Sequence, residues 1–193
     1  MTHAATAHPR FAQALSALGL DQVAVRAFPE ETRTAAQAAA ALGCDLGQIV
    51  KSLVFQADGS PVLVLVGGSS RVDVGRVGEA LGGAAVERAD AATVRAATGY
   101  AIGGVPPFGH ATRMRVLADR GLLAHETVWA AAGTPYTVFP LDPATLIQHA
   151  GGTLADVREG ARDEGAGRAG NGSEGAGAGS EGAGRASAAE PAP

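Results

Sequence analysis

The amino-acid sequence predicts a single α/β domain, more narrowly α+β, in which helices flank a mixed, mostly antiparallel central sheet. Its 193 residues, 46% of them hydrophobic, suit one domain with a well-packed core. Two apolar runs, residues 49–55 and 62–66, flank the turn sequence Ala-Asp-Gly-Ser and indicate a hairpin at the centre of a sheet. Helical patterns occur among the strand patterns without a regular strand–helix–strand repeat, which favours a mixed sheet.

The elements before this hairpin each have a local sequence signal. Residues 11–18 carry apolar side chains at helical spacing and are followed by a glycine, which predicts a short helix. Residues 23–28 are typical of a strand. Thr34 is a suitable N-cap for an alanine-rich helix over residues 35–42, which the next glycine ends.

The elements after the hairpin are predicted in the same way. A proline suits the first helical position, so Pro143 after Asp142 indicates the start of the last helix. The predicted elements are helices over residues 74–81 and 91–97, strands over 115–118, 128–131 and 136–139, and a helix from Pro143 to about His149.

Composition divides the chain into segments. Residues 159–193 are almost entirely Gly, Ala, Ser, Glu and Arg, and they contain no large apolar side chain. Such a segment cannot offset the ~1–2 kcal/mol per residue that backbone ordering costs. We therefore predict a flexible N-terminus over residues 1–9, a folded domain over 10–158 and a disordered tail over 159–193, which we expect to be dispensable for activity.

Charge and cysteine content exclude several classes of protein. Residues 1–158 carry 12 cations and 13 carboxylates, so the folded part is near neutral, unlike a protein that grips long nucleic acid through many phosphates. One cysteine excludes a disulfide framework and favours a reducing, cytoplasmic setting. No apolar leader or run of about 18 apolar residues is present, so we expect a soluble protein with no membrane partner.

The only lysine of the chain is the first candidate site residue. The 15 basic residues comprise 14 arginines and Lys51, which lies between Val50 and Ser52 in an apolar strand. A buried ammonium is costly unless it is paired or opens on a cleft. Lys51 therefore either lines a pocket for an anionic or carbonyl-bearing ligand, or reaches solvent at the sheet edge or pairs with a carboxylate such as Asp73.

A loop rich in glycine and proline, residues 98–110, is the second candidate. Gly103 and Gly104 would let the backbone approach a ligand closely, while Pro106 and Pro107 stiffen the loop and remove two N–H donors. Such a loop can act through its main chain. The alternative is a purely structural turn, in which these residue types are common.

Other chemistry finds little support in the sequence. Cys44 has no obvious histidine partner and is predicted to be a small buried thiol. The histidines at positions 3, 8, 110, 125 and 149 show no metal-ligand spacing. We therefore expect no metal and no cofactor, and a site built from one cation and one main-chain loop.

Five segments that include these features occur in the same order in a known family. They are Ile-Val-Lys-Ser-Leu-Val-Phe at 49–55, Val-Leu-Val-Leu-Val at 62–66, Thr-Gly-Tyr-Ala-Ile-Gly-Gly-Val-Pro-Pro-Phe-Gly at 98–109, Gly-Thr-Pro at 133–135 and Leu-Asp-Pro-Ala-Thr-Leu-Ile at 141–147. In these segments the chain resembles the YbaK/prolyl-tRNA-synthetase-associated domain family, which is similar to the editing insertion of prolyl-tRNA synthetase. The resemblance covers about residues 11–152.

The resemblance implies a free-standing aminoacyl-tRNA deacylase, which hydrolyses the ester between a wrong amino acid and the terminal ribose, typically of tRNA(Pro). In the family, the lysine matched by Lys51 contacts the terminal nucleotide, and the glycine matched by Gly103 presents backbone atoms to the ester or its water. A ribose hydroxyl of the substrate assists the attack. The implied partners are the 3′ end of mischarged aminoacyl-tRNA and prolyl-tRNA synthetase.

The identity of the amino acid stays open. Ser52 and the Val105–Pro106 pair depart from the cysteine-editing members, so alanine, a small analogue, serine and threonine are all candidates. A non-catalytic module that binds an aminoacyl or nucleotide end is the alternative function. Besides Lys51 and Gly103, the residues expected around the substrate are Thr34, Ser52, Gly104, Val105, Pro106, Pro107, His110, Gly133 and Thr134; caps or turns would also explain Thr34 and His110.

Overall fold

A computed structural model describes residues 7–28, 32 and 34–160, and its strands form two sheets. The strands are β1 (Arg26–Ala27), β2 (Val50–Ala57), β3 (Ser60–Gly67), β4 (Val86–Arg88), β5 (Arg115–Asp119), β6 (Val128–Ala131), β7 (Thr137–Leu141) and β8 (Gly152–Ala155). The helices are α1 (Pro9–Ala17), α2 (Ala35–Leu42), α3 (Val74–Ala80), α4 (Ala91–Thr98) and α5 (Pro143–Ala150). The predictions for residues 1–6 and for the tail from residue 161 onward lie outside the described residues.

The larger sheet has the strand order β4-β2-β3-β5-β8, and the smaller one has the order β1-β7-β6. Four of the six strand pairs in the described residues are antiparallel, while β5 runs parallel to both β3 and β8. The two sheets meet at a parallel bridge between Ile49 and Trp129. The predicted mixed, mostly antiparallel α/β fold is thus confirmed, although it contains two sheets instead of one.

The predicted hairpin of β2 and β3 is confirmed and lies inside the larger sheet. Its pairing runs without a bulge along both strands and sets Lys51 opposite Val66. Asp58 and Gly59 form the turn, with φ values of 49° and 76°. Positive φ at both central residues is the requirement of the type I′ turn, whose twist matches that of the flanking strands.

The helix boundaries follow from side-chain caps. Thr34 Oγ1 accepts a hydrogen bond from Gln37 N at 3.2 Å, and Gln37 Oε1 accepts one from Thr34 N at 3.1 Å. This capping box starts α2, and Gly43 ends it in the left-handed conformation, so the predicted bounds are confirmed. Asp142 caps α5 ahead of Pro143, as expected. No helix of the described residues is long and apolar enough to cross a membrane.

Three strands differ from the sequence prediction. Residues 23–28 were predicted as one strand, but only Arg26–Ala27 pairs with β7, although β7 itself continues to Leu141. Strands β4 and β8 lack a sequence signal, since one is short and polar and the other begins with glycine. Both are edge strands that exist through pairing with β2 and β5.

The main core joins α1, β7 and the 98–110 loop through three aromatic rings. Phe11 lies 5.3 Å from Phe108 and 4.9 Å from Phe139 between ring centroids, and all three side chains are buried. Burial of this much aromatic surface is a large contribution to stability. The glycine- and proline-rich loop is therefore held by the core through its own Phe108.

Tyr100 holds the same loop from inside. Its hydroxyl donates a hydrogen bond to the Gly109 carbonyl at 2.8 Å, which links the two ends of the loop. Burial raises the pKa of Tyr100 to about 12, and the charge of Arg10 opposes this shift without cancelling it. The phenol therefore stays a donor over the whole neutral and moderately basic range.

We predict that Tyr100→Phe lowers the free energy of unfolding by about 1 kcal/mol at pH 8, because the partly buried Gly109 carbonyl loses its donor. Since the pKa of Tyr100 in the folded state (about 12) exceeds its ordinary value of 10.0, the contribution of Tyr100 is complete below pH 10 and is lost as the pH rises toward 12. Chemical denaturation from pH 8 to 11.5 should show a shallower loss of stability in the variant. Tyr136→Phe, at a more exposed tyrosine, is the control; identical slopes for Tyr100→Phe and the unmodified protein would contradict the prediction.

Candidate active site

A cavity of about 380 Å³ lies along β2 and is walled by α2, β6, β7 and the 98–110 loop. This volume is in the range of small-molecule sites. Most of the wall is apolar, with Val54, Val105 and Trp129 among its side chains, and the polar groups are few. The cavity therefore suits a ligand that combines a small apolar or weakly polar part with a few specific hydrogen-bonding groups.

The cavity exists because β2 is only partly paired on one of its sides. β3 pairs with β2 along its whole length. On the opposite side, β4 pairs only with residues 55–57, and β6 is bridged to this edge only between Trp129 and Ile49, the residue just before β2. The stretch of β2 between these contacts is an open strand edge, and its residues line the cavity.

Lys51 lies on this open stretch. Its half-buried side chain lines the cavity, and the ammonium donates a hydrogen bond to the Ser70 carbonyl. Burial lowers the pKa of Lys51, and the nearby charge of Arg71 lowers it further. No ion pair joins Lys51 to a carboxylate of residues 7–28, 32 or 34–160; Asp73 instead caps α3. Lys51 thus lines a cavity, and its contact with an anionic or carbonyl-bearing ligand stays a prediction.

The 98–110 loop brings its main chain to the opposite wall. Gly103 lines the cavity with a φ of 87°, a conformation that glycine adopts without strain. A Cβ on Gly104 would lie 2.8 Å from the backbone of Thr134, so the loop packs directly on the next turn. Only a glycine permits this approach. The backbone at Gly103 is thereby fixed next to the space that a ligand would occupy.

The remaining predicted residues divide into two groups. Thr34, Ser52 and Val105 line the cavity together with Lys51 and Gly103. Ser52 Oγ is closed to water and has no hydrogen-bond partner. The predicted residues that do not line the cavity are Gly104, Pro106, Pro107, His110, Gly133 and Thr134.

This second group lies behind the cavity wall. His110 Nε2 is 2.8 Å from the Pro106 carbonyl, and burial lowers the pKa of His110, so the ring holds the loop as a neutral imidazole. Pro107 is buried. Thr134 Oγ1 lies 2.6 Å from the hydroxyl of Thr137, which does line the cavity. These residues position the wall and do not form its surface.

Several wall residues had no sequence signal. Arg88 reaches the cavity from β4, a strand that the sequence does not predict. Ile102 is 62% exposed and lines the cavity from the 98–110 loop. Trp129 belongs to β6 and lines the cavity because its bridge to Ile49 joins the two sheets. Only the packing of distant segments brings these side chains together.

Other reactive groups lie away from the cavity. Cys44 does not line it, and burial, with the charge of Asp45, raises the pKa of this thiol, which makes it a poor nucleophile. No group of three His, Cys, Asp or Glu side chains in the described part of the chain is placed to hold a metal ion. The polar groups that the cavity does offer are an ammonium, hydroxyls and main-chain amides and carbonyls.

Fold and site together define a mixed α/β domain with a ligand pocket at an open sheet edge, served by one ammonium and a main-chain loop. The chain belongs to the aminoacyl-tRNA editing domain family, whose model matches residues 29–148. The family resemblance carried by the strand lysine and the glycine-proline loop is thereby confirmed.

Individual relatives agree with this assignment. A crystal structure of a candidate trans-editing enzyme for prolyl-tRNA synthetase is 41% identical and superposes with a TM-score of 0.76, covering 80% of this chain and 100% of the other. YwhH of Bacillus subtilis is 33% identical over 64% of this chain and 79% of its own length. EbsC of Enterococcus faecalis, described as a candidate Cys-tRNA(Pro)/Cys-tRNA(Cys) deacylase, is 25% identical over 68% of this chain and 80% of its own length.

We predict that the ammonium of Lys51 titrates below the 10.5 of an ordinary lysine, and that Arg71→Gln moves its pKa back upward, because one nearby positive charge is removed. Lys51 is the only lysine, so protein labelled with ¹³C-lysine shows a single titrating side chain by NMR. Arg95→Gln removes an equal charge from a residue that is not among the groups acting on Lys51. An unshifted pKa, or equal responses to the two substitutions, would contradict this account of the site.

Proposed function

We propose that the chain hydrolyses the ester bond of mischarged aminoacyl-tRNA, acting in trans on tRNA(Pro). The observation that carries the proposal is that Lys51 and Gly103 line the same cavity of an editing-family domain. A cation suits the phosphate of the terminal nucleotide, and fixed main-chain groups suit an ester carbonyl or the water that attacks it.

Hydrolysis of the ester requires no side-chain nucleophile. The oxygen of a water molecule attacks the ester carbonyl carbon, and the bond from that carbon to the ribose oxygen breaks. One proton of the water passes to the ribose oxygen, so the products are the free amino acid and the ribose hydroxyl. We infer that a neighbouring ribose hydroxyl of the substrate assists the attack. The domain holds the substrate through Lys51 and thereby places its ester beside Gly103. The rate gain comes from this fixed orientation of the ester.

The size of the cavity and the charge of the domain support a substrate that inserts only its 3′ end. About 380 Å³ accommodates an amino acid and part of the terminal nucleoside but no longer segment of nucleic acid. The near-neutral balance of 12 cations and 13 carboxylates over residues 1–158 offers few phosphate contacts. Two exposed cations could contact such phosphates: Arg71, whose charge acts on Lys51, and Arg88, which lines the cavity.

The choice of tRNA(Pro) is supported by the relatives, two of which are described in terms of tRNA(Pro) or prolyl-tRNA synthetase. We infer that prolyl-tRNA synthetase is the enzyme whose errors are removed. Because charged tRNA is used in the cytoplasm, the proposal places the protein there. Thr34, Ser52 and Val105 would contact the substrate, and the residues behind the wall would act by positioning.

The direct test is a deacylation assay with Ala-, Cys-, Ser-, Thr- and 2-aminobutyryl-tRNA(Pro). We expect at least one of these to be hydrolysed well above the rate without protein, and correctly charged Pro-tRNA(Pro) to be spared. Failure on the whole panel, where a known editing domain succeeds, would overturn the proposal. Tight binding of charged tRNA without turnover would favour the non-catalytic binding module.

We predict that Lys51→Met lowers kcat/KM for the best substrate by at least about 100-fold, because the terminal phosphate loses its cation. The same change should not lower the melting temperature, since burial disfavours the ammonium in the folded state. Lys51→Arg keeps the charge but not the compact shape and should retain part of the activity. Full activity of Lys51→Met would remove this side chain from the site.

We predict that Gly103→Ala lowers deacylation by at least about 10-fold, because a Cβ at a φ of 87° forces the loop backbone to shift. Gly82→Ala is the matched control, with a φ of 86° and nothing within 4 Å of its new Cβ. Both variants should lose a similar amount of stability, about 1–2 kcal/mol. Equal activities of the two variants would show that the backbone at Gly103 takes no part in the reaction.

A further inference from the structure

Resting on the deacylase function proposed above, we propose that Ser52 forms the subsite that selects the aminoacyl side chain, and that this subsite takes a small side chain bearing a hydroxyl, that of serine. Three observations lead to this proposal: the direction of the free main-chain groups of β2, the unpartnered hydroxyl of Ser52, and the apolar residues around it.

The register of β2 decides which main-chain groups face the cavity. Gly68 N donates to Ile49 O at 2.7 Å, so the odd-numbered residues of β2 direct their N–H and C=O groups toward β3. Ala89 N donates to Val54 O on the opposite side, so the even-numbered residues face the open edge. By this alternation the N–H and C=O of Ser52 point away from β3 and toward the cavity that Ser52 lines.

Ser52 lies in the gap of this edge, residues 50–54, between the contacts with β6 and with β4. Beyond it, the Val54 carbonyl accepts a hydrogen bond from Ala89 N and the pairing with β4 begins at Phe55, while the bridge to β6 at Ile49 lies before it. Strand edges normally gain a partner or are blocked by charge or proline. An aminoacyl group fits this gap chemically, since its α-ammonium can donate to the Ser52 carbonyl.

The side chain of Ser52 adds a second polar group at the same place. Its Oγ is closed to water and has no hydrogen-bond partner, whereas the cavity hydroxyls of Thr34 and Thr137 are both engaged. Buried polar groups are nearly always bonded, so an exception in a cavity wall points to a ligand. Serine has three staggered rotamers, and rotation about one bond turns the hydroxyl toward the bound group.

The neighbours of Ser52 limit the size of what binds there. Val50 and Val54 flank it on the same face of β2, and Val105 and Ala131 line the same cavity. These side chains are apolar and present no charge, so they suit a short, uncharged side chain. A serine hydroxyl bonds to Ser52 Oγ, while the methyl group of alanine leaves that oxygen unpaired. A site built around a hydrogen bond rejects the analogue that lacks it more strongly than a pocket that measures only size.

The test compares hydrolysis of Ser-tRNA(Pro) and Ala-tRNA(Pro) by the full chain, Ser52→Ala and Ser60→Ala, the last being an exposed serine at the start of β3. We expect the unmodified protein and Ser60→Ala to prefer the seryl substrate by at least about 10-fold in kcat/KM. Ser52→Ala should lose that preference because kcat/KM falls for the seryl substrate and not for the alanyl substrate. Its melting temperature should not fall, because the lost hydroxyl had no partner. Equal losses on both substrates, or a native preference for alanine, would overturn the proposal.

A binding measurement separates this proposal from the deacylase function. Seryl and alanyl amide analogues of 3′-amino-3′-deoxyadenosine cannot be hydrolysed, so calorimetric titration reports the subsite alone. Tighter binding of the seryl analogue by about 10-fold, lost in Ser52→Ala, would support the subsite even if no tRNA were deacylated. Equal affinities, or no binding of either analogue, would overturn it whatever the activity.

Discussion

The uneven pairing of β2 is the constraint on which the rest of this structure depends. On one side the strand is hydrogen-bonded to β3 along its whole length, which anchors it in the larger sheet. On the other side β4 pairs only with residues 55–57 and β6 is bridged only to Ile49. The cavity lies between these two contacts. A fully paired strand would have no free main-chain groups at this point, and an unpaired one would be a hazard for aggregation. Covering the gap with a loop and a helix keeps it available to a ligand but closed to another strand.

The loop that covers the gap is held by the core. Phe108 stacks on Phe11, Tyr100 joins the two ends of the loop through Gly109, and His110 bonds to the Pro106 carbonyl. A site that acts through main-chain groups cannot correct its geometry by side-chain rotation, so the backbone itself must be fixed. This explains why so many of the family-motif residues lie behind the cavity wall: their contribution is to hold the backbone at Gly103 in one place.

Local signals explain which parts the sequence could predict. The α2 helix has a capping box at Thr34 and the hairpin has an Asp-Gly turn, so both were predicted closely. Strands β4 and β8 have no such signal, because they are short edge strands that exist only through their partners. The same holds for the site. Lys51 could be found because its strand was apolar, whereas Arg88 and Ile102 reach the cavity through packing between distant segments that no local pattern records.

The alternation of β2 also determines how a substrate must lie. Lys51 and Ser52 are consecutive, so their side chains leave the strand on opposite faces. Val50 and Val54, which share the face of Ser52, belong to the main core, whereas Phe55, which shares the face of Lys51, belongs to a second cluster. A ligand that reaches both side chains has to cross the strand edge. Under the proposed function, phosphate and aminoacyl group would therefore lie on either side of β2, and the ester between them at the edge, where the free main-chain groups of Ser52 face the cavity that Gly103 also lines.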